Sequence, residues 1–274
     1  MTTIRILCDN NIGSVDFLGE HGFAAHVAHP AGALLFDTGQ GLTLAHNLKA
    51  SGLSLTDLGA VVLSHGHYDH TGGLSWVLEQ TGPIAVHAHP AMFSRHLARA
   101  ADTTRFVGCP RPREELEAAG ARFAFHDRTV EIAPGLWFIS GYSRRRGQTP
   151  ADGQLVLMDT KGLVPDPMAD DASLLIETAA GPVLLLGCAH GGVLNILDHV
   201  RECLGIERLH AVLGGTHLMF FTPDQVQTVI AALEALDVAL VGVSHCTGDA
   251  AAMQLSQHFG GRYRRAAAGS RFRF

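Results

Sequence analysis

The chain reads LSHGHYDHTGGL from Leu63 to Leu74. Three histidines and one aspartate lie within six residues of this stretch, from His65 to His70. The apolar run Ala60–Ser64 directly before them predicts a buried strand, so these side chains are expected where a strand ends. Alternating imidazoles beside a carboxylate can bind two cations that lie close together. The stretch therefore predicts a dinuclear metal site, and a histidine-rich loop that binds no metal is the alternative interpretation.

The composition is that of a globular domain of enzyme size. The 274 residues are 47% hydrophobic and 17% charged, which is too apolar for a disordered chain and too poor in charge for a coiled coil. This length, without a low-complexity linker, predicts one domain over residues 1–274. The net charge is −6 and no basic arm is present, so neither nucleic acid nor a membrane surface is expected as a partner. The 17 histidines exceed ordinary usage, and neutral imidazole is the commonest metal ligand.

The cysteines and the N-terminal segment bear on the compartment. The five cysteines are widely spaced and free of any CxxC pair, which predicts neither a disulfide framework nor a zinc ribbon and indicates a reducing environment. The N-terminal residues show no charged region leading into a long apolar run, and no stretch approaches the length of a membrane span. We therefore expect a cytoplasmic protein.

Short apolar strands alternate with helical segments in both halves of the chain. A hairpin is predicted near the start of each half, over residues 23–36 and 172–186, followed by alternating strands and helices. This order predicts an α/β fold with four layers, an αββα sandwich of two mixed β-sheets flanked by helices. Two local expectations are a helix over Ala91–Ala101, after Pro90, and a pair of edge strands formed by Arg122–Phe125 and Thr129–Ile132.

The HxHxDH pattern from His65 to His70, preceded by an apolar strand and followed by a glycine-rich turn, resembles the metallo-β-lactamase superfamily. That superfamily has an early aspartate motif, which LFDTG over Leu35–Gly39 matches. It also has later histidines that follow strands, which GCAHGG over Gly187–Gly192 and SHCTG over Ser244–Gly248 match. The resemblance implies the same αββα order of hairpins and helices.

A narrower resemblance covers most of the chain. The segments DN at Asp9, EHG at Glu20, FDTGQ at Phe36 and GGTHL at Gly214, with the motifs above, are similar to the dihydropterin–ribofuranosylaminobenzene phosphate synthase subfamily. Archaeal members of that subfamily are linked to tetrahydromethanopterin synthesis. This resemblance implies a transferase that releases diphosphate.

The superfamily resemblance implies two groups of metal ligands, one for each of two divalent cations. The first group is His65, His67 and His190, and the second group is Asp69, His70 and His245. Flavodiiron relatives carry glutamate at the position of His67. The imidazole-rich set found here therefore favours Zn²⁺, with Mn²⁺ and Fe²⁺ as alternatives.

Cys188 and Asp37 are candidates for supporting roles at this site. Many superfamily hydrolases carry a bridging aspartate where this chain has Cys188, so the thiol either ligates a metal, stays unbound or leaves the bridge to water. A cysteine near a buried strand is also an ordinary small core residue. Asp37 is expected to accept the N–H of a ligand histidine and so to set its tautomer, although an aspartate in DTG also stabilises a turn.

Other residues are candidates for substrate binding and proton transfer. His217 follows a predicted strand and a Gly-Gly turn, which favours a proton donor or phosphate contact over a metal ligand or a plain buried histidine. The cationic cluster Arg144, Arg145 and Arg146 either binds a substrate phosphate or is solvated surface charge. The turn at Thr71 and Gly72 opens a helix, whose backbone N–H groups can bind an anion.

These features predict a dinuclear-metal-dependent hydrolase that attacks a phosphate-containing small molecule, a phosphoester or cyclic phosphodiester, with a metal-bound hydroxide. Asp69 is expected to orient that nucleophile, and His217 to protonate the leaving group. A synthase that releases diphosphate is the second hypothesis, and a metal-binding sensor without turnover is the third. The expected partner of the enzyme is an anionic small molecule.

Overall fold

The computed structural model describes residues 1–101, 103–145, 147–160 and 162–274. The strands in these ranges are β1 Thr3–Cys8, β2 Ala24–His29, β3 Gly32–Phe36, β4 Leu58–Val62, β5 Ile84–Ala88, β6 His96–Ala100, β7 Thr103–Phe106, β8 Ala121–Phe125, β9 Val130–Ala133, β10 Leu136–Ile139, β11 Leu155–Asp159, β12 Gly162–Pro165, β13 Ser173–Ile176, β14 Val183–Leu186, β15 Ala211–Gly215, β16 Leu240–Ser244, β17 Tyr263–Arg265 and β18 Arg271–Arg273. The α-helices are α1 Leu44–Ser51, α2 Tyr68–Thr71, α3 Leu74–Thr81, α4 Arg113–Ala118, α5 Val193–Leu204, α6 Pro223–Ala235 and α7 Asp249–Phe259. Within these ranges, no helix has the length and apolar character needed to cross a membrane.

Two seven-stranded sheets form the centre of the molecule. The first has the strand order β18-β1-β2-β3-β4-β5-β8, and the second has the order β17-β16-β15-β14-β13-β10-β9. Each sheet is antiparallel on one side and parallel on the other, so both sheets are mixed. The two predicted hairpins are the pairs β2–β3 and β13–β14.

Apolar side chains fill three layers around these sheets. Between the sheets lies one buried cluster drawn from both of them, which includes Ile4, Phe36, Phe138, Leu185 and Leu213. A second cluster joins the second sheet to α5, α6 and α7, and a third joins the first sheet to α1 and α3. Each sheet thus buries one face against the other sheet and one face against helices. The predicted αββα sandwich of two mixed sheets is confirmed.

The parallel strands explain how distant histidines can meet. In the first sheet β3 is parallel to β4, and in the second sheet β14, β15 and β16 are parallel to one another. The carboxyl ends of neighbouring parallel strands lie at one edge of a sheet, where the segments that follow them collect. Those segments carry Asp37, the stretch His65–His70, His190, His217 and His245.

The loop that carries His190 is held at both ends. β14 is apolar and wholly buried, as expected for a strand covered on both faces. Gly192 ends the loop with a φ of 96°, and a Cβ there would lie 2.0 Å from the carbonyl oxygen of Gln148. Only glycine fits this position. Helix α5 then begins directly and buries its apolar face, so the loop has little freedom to move.

A third sheet of four strands, with the order β12-β11-β6-β7, was not expected from the sequence. The predicted helix over Ala91–Ala101 is wrong, because a single 3₁₀ turn over Pro90–Phe93 is followed by β6, which pairs with β7 and β11. In β6 the buried His96 Nδ1 lies 2.5 Å from Asp166 Oδ2. Pairing of β6 with the next strand, β7, and with the distant strand β11 therefore outweighs the local helical preference.

The two predicted edge strands are confirmed as edge strands, but the predicted pairing between them is wrong. Arg122–Phe125 lies in β8, which is parallel to β5 at an edge of the first sheet. Thr129–Ile132 overlaps β9, which is antiparallel to β10 at an edge of the second sheet. The chain crosses from one sheet to the other between them, so these neighbours in sequence do not pair.

Candidate metal centre

The first ligand group, His65, His67 and His190, comes together at one end of the sandwich. His65 and His67 follow β4, His190 follows β14, and one ligand atom from each lies within 4.8 Å of the others. The Nε2 atoms of all three are buried and have no hydrogen-bond partner among the described residues. A buried polar atom without a partner costs about 1–3 kcal/mol. Three such nitrogens in one cluster fit a bound cation.

The second ligand group, Asp69, His70 and His245, lies beside the first. His70 Nε2 is 3.3 Å from His245 Nε2, and Asp69 Oδ2 is 3.4 Å from His245 Nε2 and 3.8 Å from His70 Nε2. The ring centroids of His65 and His70 are 4.1 Å apart, so the two groups are neighbours. Two imidazoles and a carboxylate are ligands that zinc accepts. The arrangement can hold a second cation close to the first.

Cys188 lies between the two ligand groups. Its Sγ is 3.2 Å from His70 Nε2 and within 4.8 Å of ligand atoms of both His65 and His190. Burial raises the pKa of this thiol well above its ordinary value, so a cation would have to displace its proton. A core cysteine would face apolar side chains, whereas this one faces imidazoles. The thiol therefore lies within reach of a cation held by either ligand group.

Asp37 sets the tautomer of two ligand histidines, because it accepts the Nδ1 hydrogen of His70 directly and orients the Ser64 hydroxyl that accepts from His65. Its Oδ2 accepts the His70 Nδ1–H at 2.7 Å and the Ser64 hydroxyl at 2.7 Å, and its Oδ1 accepts the Ser64 N–H at 2.7 Å. Because the Ser64 hydroxyl donates to Asp37, its oxygen accepts from His65 Nδ1 at 2.9 Å. Each imidazole therefore has only Nε2 left for a cation. Burial acts to lower the pKa of His70, but Asp37 and Asp69 raise it to about 9, so a proton occupies Nε2 until a cation displaces it.

One asparagine amide links His245 to His21. Asn10 Oδ1 accepts the Gly22 N–H at 3.2 Å and faces His245 Nδ1 at 2.8 Å. Since a backbone N–H can only donate, this contact sets the amide orientation, and His245 Nδ1 must carry a hydrogen. The amide Nδ2 donates to His21 Nδ1 at 3.3 Å, which leaves the His21 hydrogen on Nε2. That Nε2–H donates to Asp69 Oδ2 at 3.1 Å, so His21 orients a ligand carboxylate.

Replacing His21 with alanine should weaken the binding of one cation by about 10- to 100-fold, because Asp69 loses the donor that orients it. His21→Gln should restore most of the affinity, since its amide N–H can reach the same carboxylate. The His21 side chain is 55% exposed, so both variants should fold normally. Competition with a chromophoric chelator measures the affinity of each cation. An equal loss in both variants would contradict the donor role and make His21 a ligand.

The sequence analysis missed a charged cluster beside His67. The rings of His96 and His67 are nearly perpendicular, with centroids 5.2 Å apart. His96 Nδ1 is 2.5 Å from Asp166 Oδ2, and its Nε2 is 3.4 Å from Asp170 Oδ2, which also accepts the Gly66 N–H at 2.7 Å. Burial acts to lower the pKa of His96, but the two carboxylates raise it to about 10. The cluster connects β6 of the third sheet to the loop that carries His65 and His67. In the sequence, the pair of adjacent aspartates Asp170 and Asp171, directly before an apolar strand, is a signal for this charged cluster.

Three other carboxylates hold the loops around the ligands. Asp9 Oδ1 accepts the N–H of His245 at 2.6 Å. Asp171 Oδ2 accepts the N–H of Gly191 at 2.7 Å, beside the first ligand group. Glu20 accepts three backbone N–H groups from residues 40–43, in the loop that follows Asp37. Each carboxylate is distant in sequence from the loop that it holds, so spacing alone does not reveal these roles.

His217 lies against the first ligand group. Its ring centroid is 4.2 Å from that of His190, and its Nε2 is 3.5 Å from Asp152 Oδ2. A φ of 52° places its backbone in the left-handed region, which is uncommon for a side-chain-bearing residue and frequent at functional sites. One of its nitrogens is also within 4.8 Å of the Cys188 thiol. This location suits proton transfer to a leaving group as well as contact with a cation.

Arg144 and Arg145, the two described residues of the arginine cluster, lie in different surroundings. Arg145 forms exposed ion pairs with Asp198 and Glu202 of α5, at 2.7 and 2.9 Å. Arg144 lines a smaller cavity of about 230 Å³ next to the first ligand group. Arg146 lies outside the described residues. The middle arginine is therefore surface charge, as the alternative interpretation had it.

The predicted anion contact at the turn after the ligand stretch is wrong. The Thr71 N–H donates to the carbonyl of His67 at 3.0 Å, and the Gly72 N–H donates to the carbonyl of Tyr68 at 2.8 Å. These groups are used within the short helix α2, so they are not available to a substrate.

A cavity of about 540 Å³ opens over both ligand groups. Its lining includes ligand residues of both groups together with the central thiol, namely His67, Asp69, His190, His245 and Cys188. This volume is in the range of pockets that take small molecules. Substrate can therefore reach the candidate metal centre directly.

Comparisons with known proteins agree with this geometry. The model of the metallo-beta-lactamase superfamily matches residues 21–245. The chain is 26% identical over 248 residues to the 7,8-dihydropterin-6-methyl-4-(beta-D-ribofuranosyl)-aminobenzene-5'-phosphate synthase of Methanocaldococcus jannaschii, covering 88% of this chain and 84% of the relative. It is 28% identical over 258 residues to the uncharacterized protein MJ0448 of the same organism, covering 93% and 94% of the two chains.

The structure is also similar to that of Tm1679, described as a metal-dependent hydrolase of the beta-lactamase superfamily. The TM-score is 0.86 and the identity 27%, over 100% of this chain and 99% of the other. The family model covers most of the chain, and the fold and the histidine pattern agree with it. The chain therefore belongs to the metallo-β-lactamase superfamily.

Proposed function

We propose that the protein is a dinuclear-metal-dependent hydrolase of phosphate-containing small molecules, either phosphoesters or cyclic phosphodiesters. The main support is that two ligand groups meet at the Cys188 thiol, with three buried imidazole nitrogens that lack a hydrogen-bond partner among the described residues. Imidazole and thiol ligands favour Zn²⁺ over Mn²⁺ or Fe²⁺.

When bound, two divalent cations activate water for attack and stabilise negative charge on a phosphoryl group. Two side chains of the protein have separate roles: one orients the nucleophile and the other protonates the leaving oxygen. Asp69, held by His21, fixes the direction of attack. Burial acts to lower the pKa of His217, but Cys246 and Asp152 raise it to about 9, so His217 carries a proton at neutral pH that it can give to the leaving oxygen.

A second candidate is a synthase that releases diphosphate. The relative that is 26% identical over 88% of this chain is named as a dihydropterin–ribofuranosylaminobenzene phosphate synthase. In that reaction the aminobenzene ring would form a bond to the methyl carbon of a pterin methyl diphosphate, and the bond from that carbon to the diphosphate oxygen would break. The ligand groups would hold the cations that neutralise the departing diphosphate. The same ligand groups serve both reactions, so the substrates distinguish them.

Turnover assays on zinc-loaded protein test these functions. Hydrolysis of bis-p-nitrophenyl phosphate that a chelator abolishes and added Zn²⁺ restores is the expected result. Diphosphate release that requires both a pterin diphosphate and an aryl amine would favour the synthase. Binding of two cations without either activity would favour the sensor hypothesis and contradict the proposed hydrolase activity.

A further inference from the structure

The cavity over the ligand groups contains two arginines to which the proposed function gives no role. Arg105 lies in β7 of the third sheet, and Arg265 lies in β17 at an edge of the second sheet. Because the ligands are buried and both arginines are exposed, the arginines lie toward the opening. The lining of the same cavity also includes the apolar or aromatic side chains of Tyr68, Leu155 and Phe220.

Arg105 is held in a defined place relative to the ligands. Its guanidinium carbon lies 5.2 Å from the ring centroid of Tyr68, which directly follows His67 in the chain. The Tyr68 N–H donates to the carbonyl of Val107, two residues beyond Arg105, at 2.9 Å. A guanidinium held against a ring still has N–H groups free to bind oxygen. The contact therefore preorganises Arg105 to bind an anion at a set distance from the ligand groups.

Arg265 is held more loosely and can change partner. Its Nη2 lies 2.6 Å from Asp249 Oδ1, and the two side chains are 47% and 90% exposed. An exposed ion pair of this kind is worth at most about 1 kcal/mol. An incoming carboxylate or phosphate can therefore replace Asp249 at little cost. Asp249 begins α7 directly after the SHCTG motif, so this pair too lies close to the second ligand group.

We propose that Arg105 and Arg265 form a distal anion subsite. It binds a second acidic group of the substrate, a carboxylate or a phosphate, while the reacting phosphoryl group lies at the two ligand groups. The body of the substrate packs against Tyr68 and Phe220 and is apolar or planar. This inference rests on the proposed function and narrows its substrates to phosphate esters that carry a second anion.

Phosphonate binding to zinc-loaded protein tests the subsite without turnover. The probes are phenylphosphonate and biphenyl-4-phosphonate, each compared by calorimetry with its analogue that carries a terminal carboxylate. In the wild type, at least one carboxylate-bearing phosphonate should bind with a Kd about tenfold or more below that of its carboxylate-free counterpart. This gain is expected for charge-assisted hydrogen bonds between the carboxylate and the arginines. In the double variant Arg105→Gln and Arg265→Gln this gain should fall below about twofold. Each single variant should lose part of it.

The matched control is Arg208→Gln, an exposed arginine paired with Asp237, which should keep the full gain. A wild type that binds both members of each pair equally would overturn the subsite and leave the proposed function intact. A gain that persists in the double variant would also overturn it. If the wild type fails to bind the carboxylate-free phosphonates, phosphate recognition at the ligand groups fails, and the subsite fails with it.

Discussion

Replacing His67 with alanine should leave fewer than two cations bound per chain and lower kcat/KM for a phosphodiester by about 10³-fold or more. The change removes one of three imidazoles in the first ligand group, and loss of one cation removes several kcal/mol of transition-state stabilisation. Burial lowers the pKa of His67 to about 4, so its imidazole is unprotonated at neutral pH, as a metal ligand must be.

Elemental analysis of the purified variant measures the stoichiometry, and circular dichroism shows whether it is folded. His46→Ala is the matched control, since His46 is exposed on α1 and lines neither ligand group. It should retain the wild-type metal content and activity. Undiminished stoichiometry in the His67 variant would reject the assignment of this histidine as a ligand.

Replacing Asp37 with alanine should lower the free energy of unfolding by about 3–5 kcal/mol and weaken metal binding by at least about tenfold. Three buried donors, two from Ser64 and one from His70, would lose their acceptor at once. A buried donor without a partner costs about 1–3 kcal/mol, and loss of the group that orients a metal ligand costs about 10- to 100-fold in affinity. Urea unfolding and metal titration measure the two effects separately.

Asp37→Asn separates the structural role of this residue from its role in setting the tautomer. Asparagine tolerates the left-handed backbone that Asp37 adopts, with a φ of 57°, and can still accept the Ser64 N–H. The asparagine amide N–H would face His70 Nδ1, so this nitrogen would have to accept a hydrogen bond. The imidazole hydrogen of His70 would then lie on Nε2, the atom expected to bind the cation. We expect more stability to be retained than in Asp37→Ala, with metal affinity as low. Wild-type metal affinity in this variant would show that His70 does not depend on Asp37.

The sequence was most informative where the interacting residues are close along the chain. The strand before His65, the two hairpins and the layer order followed from hydrophobic periodicity and turn residues. The helix predicted over Ala91–Ala101 is wrong because β6 pairs with β7, which follows it directly, and with β11, which lies far along the chain. The arginines at 144 to 146 stood out as a run, yet Arg145 is paired with helix α5.

The histidine excess has more than one cause. Five histidines belong to the two ligand groups, and His217 lies against the first of them. His96 lies buried between two aspartates, and His21 donates to Asp69. His87 and His126 stack with ring centroids 5.2 Å apart at the ends of β5 and β8, outside the metal centre. The count was therefore a signal of metal chemistry but no guide to which histidines take part.

Spacing within six residues was enough to predict a metal-binding loop, because the geometry of a strand end brings nearby side chains to one place. The residues that hold those ligands could not be identified in this way. Asn10 contacts His245 over a separation of 235 residues, and Asp170 contacts the loop at Gly66 over a separation of 104. They meet only because sheet register and parallel strand order bring their segments to the same end of the sandwich. Arg105 likewise carries no pattern of its own, and its place beside the ligands follows from a strand pairing and one aromatic ring.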